Sequence, residues 1–159
     1  METKEIEFAQ EKHSFSMTCR VKAQVHSNPD AIWSLLTDSK RFSKWNSTVT
    51  GIDGRIHEGE RIRIHVPGTN RTFRPKISDM ISNKQMIWSD GISPIFKGAR
   101  RFELIPRGNG LTEFIMEEKF SGLLFAMMKN RLPDFRPIFE RYALDLKIEA
   151  EKPTPFEIQ

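Results

Sequence analysis

The sequence predicts an α+β fold in which several antiparallel strands are followed by a long C-terminal helix. Apolar and polar residues alternate strictly over residues 15–25, which is typical of a strand with one buried face. Residues 98–106 and 111–120 flank Arg107-Gly108-Asn109-Gly110, a strong hairpin signal. In the last third the apolar spacing changes to three or four residues, which indicates one face of a helix.

A capped amphipathic helix follows the first predicted strand. Asn28 suits the N-cap position and Pro29 the first helical position, because that position needs no backbone donor. The helix is expected to end near Thr37 and Asp38. Its short apolar stripe consists of Ile32, Leu35 and Leu36.

Consecutive strands in the middle of the chain predict an antiparallel meander. The expected strands cover residues 61–66, 72–81 and 85–89, followed by the two hairpin strands. Pro75 cannot donate a ladder hydrogen bond, so it places the strand over 72–81 at an edge or a bulge. Glycines between the first helix and this meander mark turns: Gly51, Gly54 and Gly59.

The C-terminal third predicts two helices that are separated by a kink. A short helix begins near Gly122, the kink lies at Pro133, and a long helix runs from Asp134 to about Glu151. The expected apolar face consists of Leu124, Met128, Leu132, Phe135, Phe139, Tyr142, Leu146 and Ala150.

Length and composition predict one domain over residues 15–151, with a flexible N-terminal segment over 1–14 and a loose tail over 152–159. The N-terminal residues are charged and do not form a signal peptide, and Cys19 has no partner for an internal disulfide. We therefore expect a cytoplasmic protein. No apolar run is long enough for an integral membrane helix.

The formal net charge of +4 is small, and the basic residues are spread along the chain. Nucleic-acid binders usually carry a concentrated basic stripe with interleaved aromatic residues. Arg61 and Arg63 alternate with apolar residues, which is more typical of the solvated face of a strand. A nucleic-acid partner is therefore not expected.

The order of these elements, together with four short segments, resembles the START-like SRPBCC superfamily, which includes polyketide cyclase/dehydrase and lipid-transport families. The matching segments are residues 32–38, 45–46, 120–123 and 139–147, and the resemblance covers about residues 15–151. It implies a helix-grip fold, in which a curved antiparallel sheet wraps around the long C-terminal helix. It also implies an apolar cavity between the sheet and that helix.

The predicted inward faces of the sheet and the C-terminal segment supply candidate ligand contacts. Antiparallel pairing across the hairpin places Arg100 opposite Glu118, where Arg100 could hold the carboxylate or carbonyl end of a mostly apolar ligand. Tyr142 could add a hydroxyl, although such residues often reach solvent instead. The candidate ligand-binding residues are Trp45, Trp88, Arg100, Phe102, Phe114, Met116, Glu118, Met128, Phe135, Phe139 and Tyr142.

Dedicated catalytic motifs are missing from the sequence. None of His13, His26, His57 and His65 has metal-ligand spacing to another, so neither a metal nor another cofactor is expected. Cys19 falls on an apolar strand face and is predicted to be an inert core thiol. If the protein is an enzyme, its candidate catalytic residues are Glu118, Arg100 and Tyr142.

Three functional hypotheses follow from the sequence and the resemblance. The leading one is a protein, monomeric or homodimeric, that binds a small hydrophobic or amphipathic molecule such as a lipid or polyketide-like compound. The alternative is an enzyme of the cyclase or dehydratase type that uses the same cavity. The second alternative is a co-chaperone-like module that acts through its surface and predicts a closed core with an exposed apolar patch.

Overall fold

The computed structural model describes residues 5–68 and 70–153, and these residues form an α+β fold built on two antiparallel sheets. The larger sheet has six strands in the order β1-β2-β9-β8-β7-β6, and the smaller one has the order β3-β4-β5. The strands are β1 Ile6–Lys12, β2 Ser16–Val25, β3 Gly51–Asp53, β4 Arg63–His65, β5 Thr72–Phe73, β6 Lys76–Ile81, β7 Gln85–Ile92, β8 Phe96–Gly108 and β9 Leu111–Ser121.

The helices lie on the concave face of the curved larger sheet. The long C-terminal helix contacts β1 and β2 and packs against the first two helices. Its apolar face, with Phe139, Tyr142 and Leu146, is buried against the sheet. The helices are α1 Pro29–Thr37, α2 Phe42–Trp45, α3 Leu123–Met128, a 3-10 turn at Lys129–Arg131 and α4 Arg136–Ala150. Within the described ranges, no helix combines the length and hydrophobicity that crossing a bilayer requires.

The predicted meander and hairpin are confirmed. Strands β6 to β9 follow one another in the sheet, and β2 pairs with the free edge of β9. The tight turn between β8 and β9 places Arg100 opposite Glu118 and Phe102 opposite Met116. Asn28 and Pro29 occupy the predicted N-cap and first helical positions of α1.

The prediction of a flexible segment over residues 1–14 is wrong for Ile6–Lys12, which forms edge strand β1. Only Ile6 and Phe8 of this strand pack on the core, while the rest of it is exposed and, apart from Ala9, polar. The strand is therefore held mainly by its backbone pairing with β2, which hydropathy does not detect. Residues 1–4 and 154–159, which include most of the predicted tail, lie outside the described residues.

Prolines move two other predicted boundaries. Pro75 divides the strand expected over 72–81, so that β5 joins the small sheet and β6 forms an edge of the large one. The long helix begins at Arg136 rather than Asp134, and the Asp134 Oδ1 atom accepts a hydrogen bond from the Arg136 amide at 3.0 Å. Pro137 therefore occupies the second helical position, where a backbone donor is not needed.

A buried carboxylate fixes the segment after α2 onto α4. Asp145 is buried, and its Oδ2 atom accepts hydrogen bonds from the Ser47 amide at 2.8 Å and the Ser47 hydroxyl at 2.6 Å. Its Oδ1 atom lies 3.0 Å from Arg141 Nε. Because Ser47 closely follows Trp45, this carboxylate also helps to hold the Trp45 ring against Tyr142 of α4.

We predict that Asp145→Ala lowers the free energy of unfolding by about 2 kcal/mol, because it removes the buried charged acceptor of both Ser47 hydrogen bonds and the partner of Arg141. Urea unfolding followed by circular dichroism measures this difference. Glu140→Ala on the same helix is the control and should change stability by no more than about 0.5 kcal/mol. Equal effects of the two substitutions would show that Asp145 does not fasten the segment.

The C-terminal end of α4 is fixed to the end of β2 by a second polar cluster. The Glu151 Oε1 atom accepts a hydrogen bond from the His26 amide at 2.8 Å and another from Lys147 Nζ at 2.6 Å. Lys147 is buried and also donates to the Gln24 carbonyl at 2.7 Å. Partial burial raises the pKa of Glu151, but the bonds from His26 and Lys147 outweigh it and lower that pKa overall.

A lowered pKa in the folded state means that Glu151 stabilises the protein while it is ionised. This contribution is complete above its pKa in the unfolded chain, about 4.3, and is lost as the pH falls through the lower folded-state value. We therefore predict that Glu151→Gln reduces stability at pH 7 and that the reduction shrinks in acid. Urea unfolding across this pH range, with Glu149→Gln as control, measures the difference, and a reduction independent of pH would contradict the assignment.

Candidate ligand-binding site

The candidate site centres on an ion pair on the inner face of the large sheet. Arg100 on β8 donates from Nε to Glu118 Oε2 at 2.9 Å and from Nη2 to the same oxygen at 2.6 Å. The pairing registers place Cys19 and Trp88 in the same row of the sheet, one on each side of the pair. The expectation that Arg100 and Glu118 face each other is thus confirmed.

Aromatic rings of α4 cover the guanidinium of Arg100. Its central carbon lies 5.5 Å from the ring centre of Phe139 and 5.6 Å from that of Tyr142, within the range of cation–π attraction. Burial disfavours the charge of Arg100, but the carboxylate of Glu118 outweighs it and raises the pKa of Arg100 above its ordinary value. Arg100 therefore stays charged although it is enclosed between the sheet and α4.

Access to the ion pair comes from one end of the sheet. The neighbouring row, with Phe102 and Met116, is fully buried, whereas the side chains of Arg100 and Glu118 keep 23% and 15% of their exposure. The next row contains Gly98 opposite Phe120, and both are only partly buried. Exposure thus rises toward Phe120, and we call this partly exposed region between β8, β9 and the start of α4 the cleft.

The walls of the cleft are aromatic. Phe120 stacks on Phe135 with ring centres 5.2 Å apart and an interplanar angle of 23°. Phe96 lies beside Phe120 at 6.4 Å, and Phe135 in turn meets Phe139 edge to face at 6.4 Å. Gly98 has no side chain, and a Cβ atom there would lie 3.8 Å from Glu118 Oε1 and 3.9 Å from the Phe120 ring, so glycine leaves space beside both residues on the β8 side.

Most of the predicted ligand-binding residues converge on this region, but Met128 does not. Met128 ends α3 and exposes 50% of its surface, because α3 turns Phe125 inward in place of Leu124 and Met128. Phe135 is partly buried at the edge of the core. The remaining apolar and aromatic candidates are buried in the core: Trp45, Trp88, Phe102, Phe114, Met116, Phe139 and Tyr142.

Three buried polar atoms have no well-formed hydrogen bond among residues 5–68 and 70–153: Tyr142 Oη, which belongs to the ring next to Arg100, Trp45 Nε1 and Asn46 Nδ2. Trp45 and Tyr142 meet edge to face with ring centres 6.0 Å apart. Burial raises the pKa of Tyr142, and the charge of Arg100 offsets part of this increase. The phenol therefore stays protonated and available as a donor. Buried polar groups usually have partners, so these atoms favour a site that an oxygen acceptor can complete.

Sequence reasoning missed two residues at this site. Phe42 is fully buried and contacts the rings of Trp45, Trp88 and Tyr142 at centre distances of 4.7, 6.0 and 6.2 Å. Asn46 is buried, and its Oδ1 atom accepts bonds from the Thr48 amide and hydroxyl. Phe42 precedes Trp45 by three residues, and Asn46 follows it directly. The helical spacing of Phe42 and Trp45 was therefore the sequence signal that could have placed Phe42 beside Trp45.

The other potentially reactive side chains either lie away from the ion pair or have their reactivity lowered by burial beside it. Burial, with a further contribution from the charge of Glu118, raises the pKa of Cys19 to about 11, so its thiol is a poor nucleophile. His65 pairs with Asp53 on the small sheet at 2.7 Å. In the described part of the chain, no cluster of three or more His, Cys, Asp or Glu residues could hold a metal ion.

Solved structures share this fold at low sequence identity. A protein from Rhodobacter sphaeroides superposes with a TM-score of 0.67 and 17% identity, covering 91% of this chain and 97% of that one. A START superfamily protein from Mycobacterium smegmatis gives a TM-score of 0.63 and 17% identity, with coverages of 84% and 97%. DynU16, a protein of the dynemicin biosynthetic locus, gives 0.59 and 17%, with coverages of 84% and 48%.

None of the curated proteins compared with the sequence matches it. Residues 26–131 match the family described as activator of Hsp90 ATPase homolog 1-like protein. This match spans α1 to the 3-10 turn and therefore includes β8 and β9, the strands that carry the ion pair. The chain belongs to this AHSA1 family of the START-like SRPBCC superfamily, and the superfamily resemblance predicted from the sequence is confirmed.

Proposed function

We propose that the protein binds a small, mostly apolar molecule in the cleft and holds its polar end at the Arg100–Glu118 pair. The observation that carries this proposal is the partial exposure of an ion pair on an otherwise buried aromatic face. A purely structural pair in this position would be costly, because desolvation offsets much of its attraction. A ligand that completes its hydrogen bonding gives the pair a function.

The charge balance favours a neutral oxygen on the ligand. Glu118 neutralises Arg100, so a ligand carboxylate would be repelled by Glu118, whereas a carbonyl oxygen would not. The bonds to Glu118 use Nε and Nη2 of Arg100, and a guanidinium has further N–H donors for a ligand oxygen. Tyr142, which lies against Arg100, supplies a second donor. A ketone or quinone-like group on an aromatic body fits this donor set and the phenylalanine walls.

The enzymatic alternative and the protein-binding alternative rest on different observations. Cyclase or dehydratase chemistry would need a free base, but the Glu118 carboxylate is held by Arg100 and Tyr142 stays protonated. A surface role in protein binding is suggested by the family description, which names activation of Hsp90 ATPase. DynU16 lies in a biosynthetic locus, which favours ligands of the polyketide type. Binding is the role that the contacts around Arg100 support best.

We predict that 2-acetylnaphthalene binds about tenfold more tightly than 2-ethylnaphthalene, because only the ketone accepts a hydrogen bond from Arg100. The double variant Arg100→Met/Glu118→Leu should lose this preference, since replacing both partners removes the donor without leaving an unpaired charge. NMR titration of the indole N–H signals of Trp45 and Trp88 measures both affinities.

The control for this experiment is Arg101→Met/Glu117→Leu, which replaces the two residues that lie opposite each other on the outer face of the same strands. It should keep the preference for the ketone. If the inner-face variant keeps it too, Arg100 does not hold the polar end of the ligand. If neither probe moves the indole signals of the wild type, the cleft is not a binding site for such molecules.

A further prediction separates binding from stability at Tyr142. Because the Arg100 guanidinium approaches its hydroxyl without forming a well-aligned hydrogen bond, Tyr142→Phe should change the free energy of unfolding by no more than about 1 kcal/mol. The same change should weaken 2-acetylnaphthalene about fivefold by removing a donor and leave 2-ethylnaphthalene unaffected. Urea unfolding and the NMR titration measure these effects. Equal weakening of both probes would indicate a change in shape rather than a lost hydrogen bond.

A further inference from the structure

Exposed apolar side chains concentrate at the end of the molecule where the cleft opens. Met127 on α3 exposes 79% of its surface, and Ile92 at the end of β7 exposes 71%. The others come from the same helix, the β7–β8 turn and the β1–β2 turn. We call the set the end patch; its members are Phe15, Ile92, Ile95, Leu123, Leu124, Met127 and Met128.

Backbone hydrogen bonds hold the segments of the end patch together. The Gly122 amide donates to the Phe15 carbonyl, and the Leu124 amide donates to the Ile95 carbonyl, each at 3.0 Å. Phe125 anchors α3 in the core, so its neighbours Leu124 and Met127 face outward. Gly122 has φ +119°, and a Cβ atom there would lie 2.4 Å from the Ile95 carbonyl oxygen. The close approach of α3 to the β7–β8 turn therefore requires glycine.

Basic side chains without ion-pair partners accompany the end patch. Lys97 follows the β7–β8 turn, Lys119 lies near the end of β9, and Lys129 and Arg131 follow α3. Among residues 5–68 and 70–153 none of these four forms an ion pair, whereas Arg20 on the outer face of the sheet pairs with Glu117.

Nearby acidic groups are already engaged in local hydrogen bonds. Asp90 accepts from the Arg74 and Gly91 amides, Asp134 accepts from the Arg136 amide, and Glu11 contacts His13. These carboxylates keep their charge, but the four basic side chains outnumber the three of them, so the end patch carries a small local excess of positive charge around apolar side chains.

We propose that the end patch docks on the surface of an anionic lipid bilayer. Apolar side chains that enter the interface, together with lysines that pair with lipid phosphates, are the requirements for peripheral membrane binding. A symmetric dimer through the same patch would place the lysines of one copy against those of the other. The charge pattern thus favours a negatively charged surface over a second copy of the chain.

Docking in this way would face the opening of the cleft toward the bilayer. Leu123 of the end patch follows β9 after Gly122, and Phe120 of that strand lines the cleft. Phe15 and Leu123 also border an open depression of about 340 Å³ together with Pro94. The inference concerns the surface and does not require that the cleft binds a ligand.

Co-sedimentation with phosphatidylcholine vesicles, with and without phosphatidylglycerol, tests the proposal on the full chain. We expect binding to the anionic vesicles at low ionic strength and its loss at high salt, where charges are screened. Met127→Asp should weaken the partitioning at least about tenfold, because it removes apolar surface that would be buried in the bilayer and adds a negative charge. Lys97→Gln and Lys129→Gln should each weaken it about fivefold.

Matched controls lie at the opposite end of the sheet, in the β6–β7 turn. Ile81→Asp and Lys84→Gln change an exposed apolar and an exposed basic residue there, and both variants should partition like the wild type. Met127→Asp should also keep its affinity for 2-acetylnaphthalene, so failure of membrane docking and failure of the cleft proposal are distinguishable.

Three outcomes would overturn the membrane proposal. The first is wild-type protein that stays in solution with anionic vesicles at low salt. The second is equal partitioning of the wild type and Met127→Asp. The third is a wild-type dimer, detected by sedimentation velocity, that Met127→Asp dissociates while no vesicle binding occurs; that result would assign the end patch to a second copy.

Discussion

The pairing register of β8 and β9 is the constraint on which the rest of the site depends. Gly108, Asn109 and Gly110 all adopt positive φ angles in the tight turn between the strands, a conformation that favours glycine and asparagine. A slip of one residue in this pairing would turn over one of the two strands relative to the other. Arg100 would then share a face with Glu117 or Lys119 in place of Glu118, and the inner-face ion pair would be lost.

This register also explains why a charged pair is tolerated on an apolar face. Arg100 is compensated at once by Glu118 on the adjacent strand and by the rings of Phe139 and Tyr142 on α4. The pair lies at the boundary between a closed row of core residues and the opening at Phe120, so part of its hydration is kept. A row deeper, the same charges would lose that hydration and cost several kcal/mol.

The sequence predicted the elements whose faces differ in polarity and missed those that depend on backbone pairing alone. The alternation over residues 15–25 and the hairpin at Arg107–Gly110 determine which side chains face inward, so the Arg100–Glu118 contact was predictable. Strand β1 was not, because only Ile6 and Phe8 bury apolar surface. The exposed face of α3 was also missed. Leu124 and Met128 continue the apolar helical spacing of α4, but it is Phe125, one residue after Leu124, that contacts the core.

The end patch and the cleft share one structural origin, the junction where β9 turns into α3 at Gly122. The strand brings Phe120 to the opening of the cleft, and the next residues expose Leu123, Leu124 and Met127. An apolar ligand that leaves the cleft through water would expose its surface at a cost of roughly 25 cal/mol per Å². Exit beside an apolar surface that is itself in contact with lipid would avoid much of that cost. The placement of these side chains therefore puts the entrance for a ligand beside the surface that docks on the bilayer.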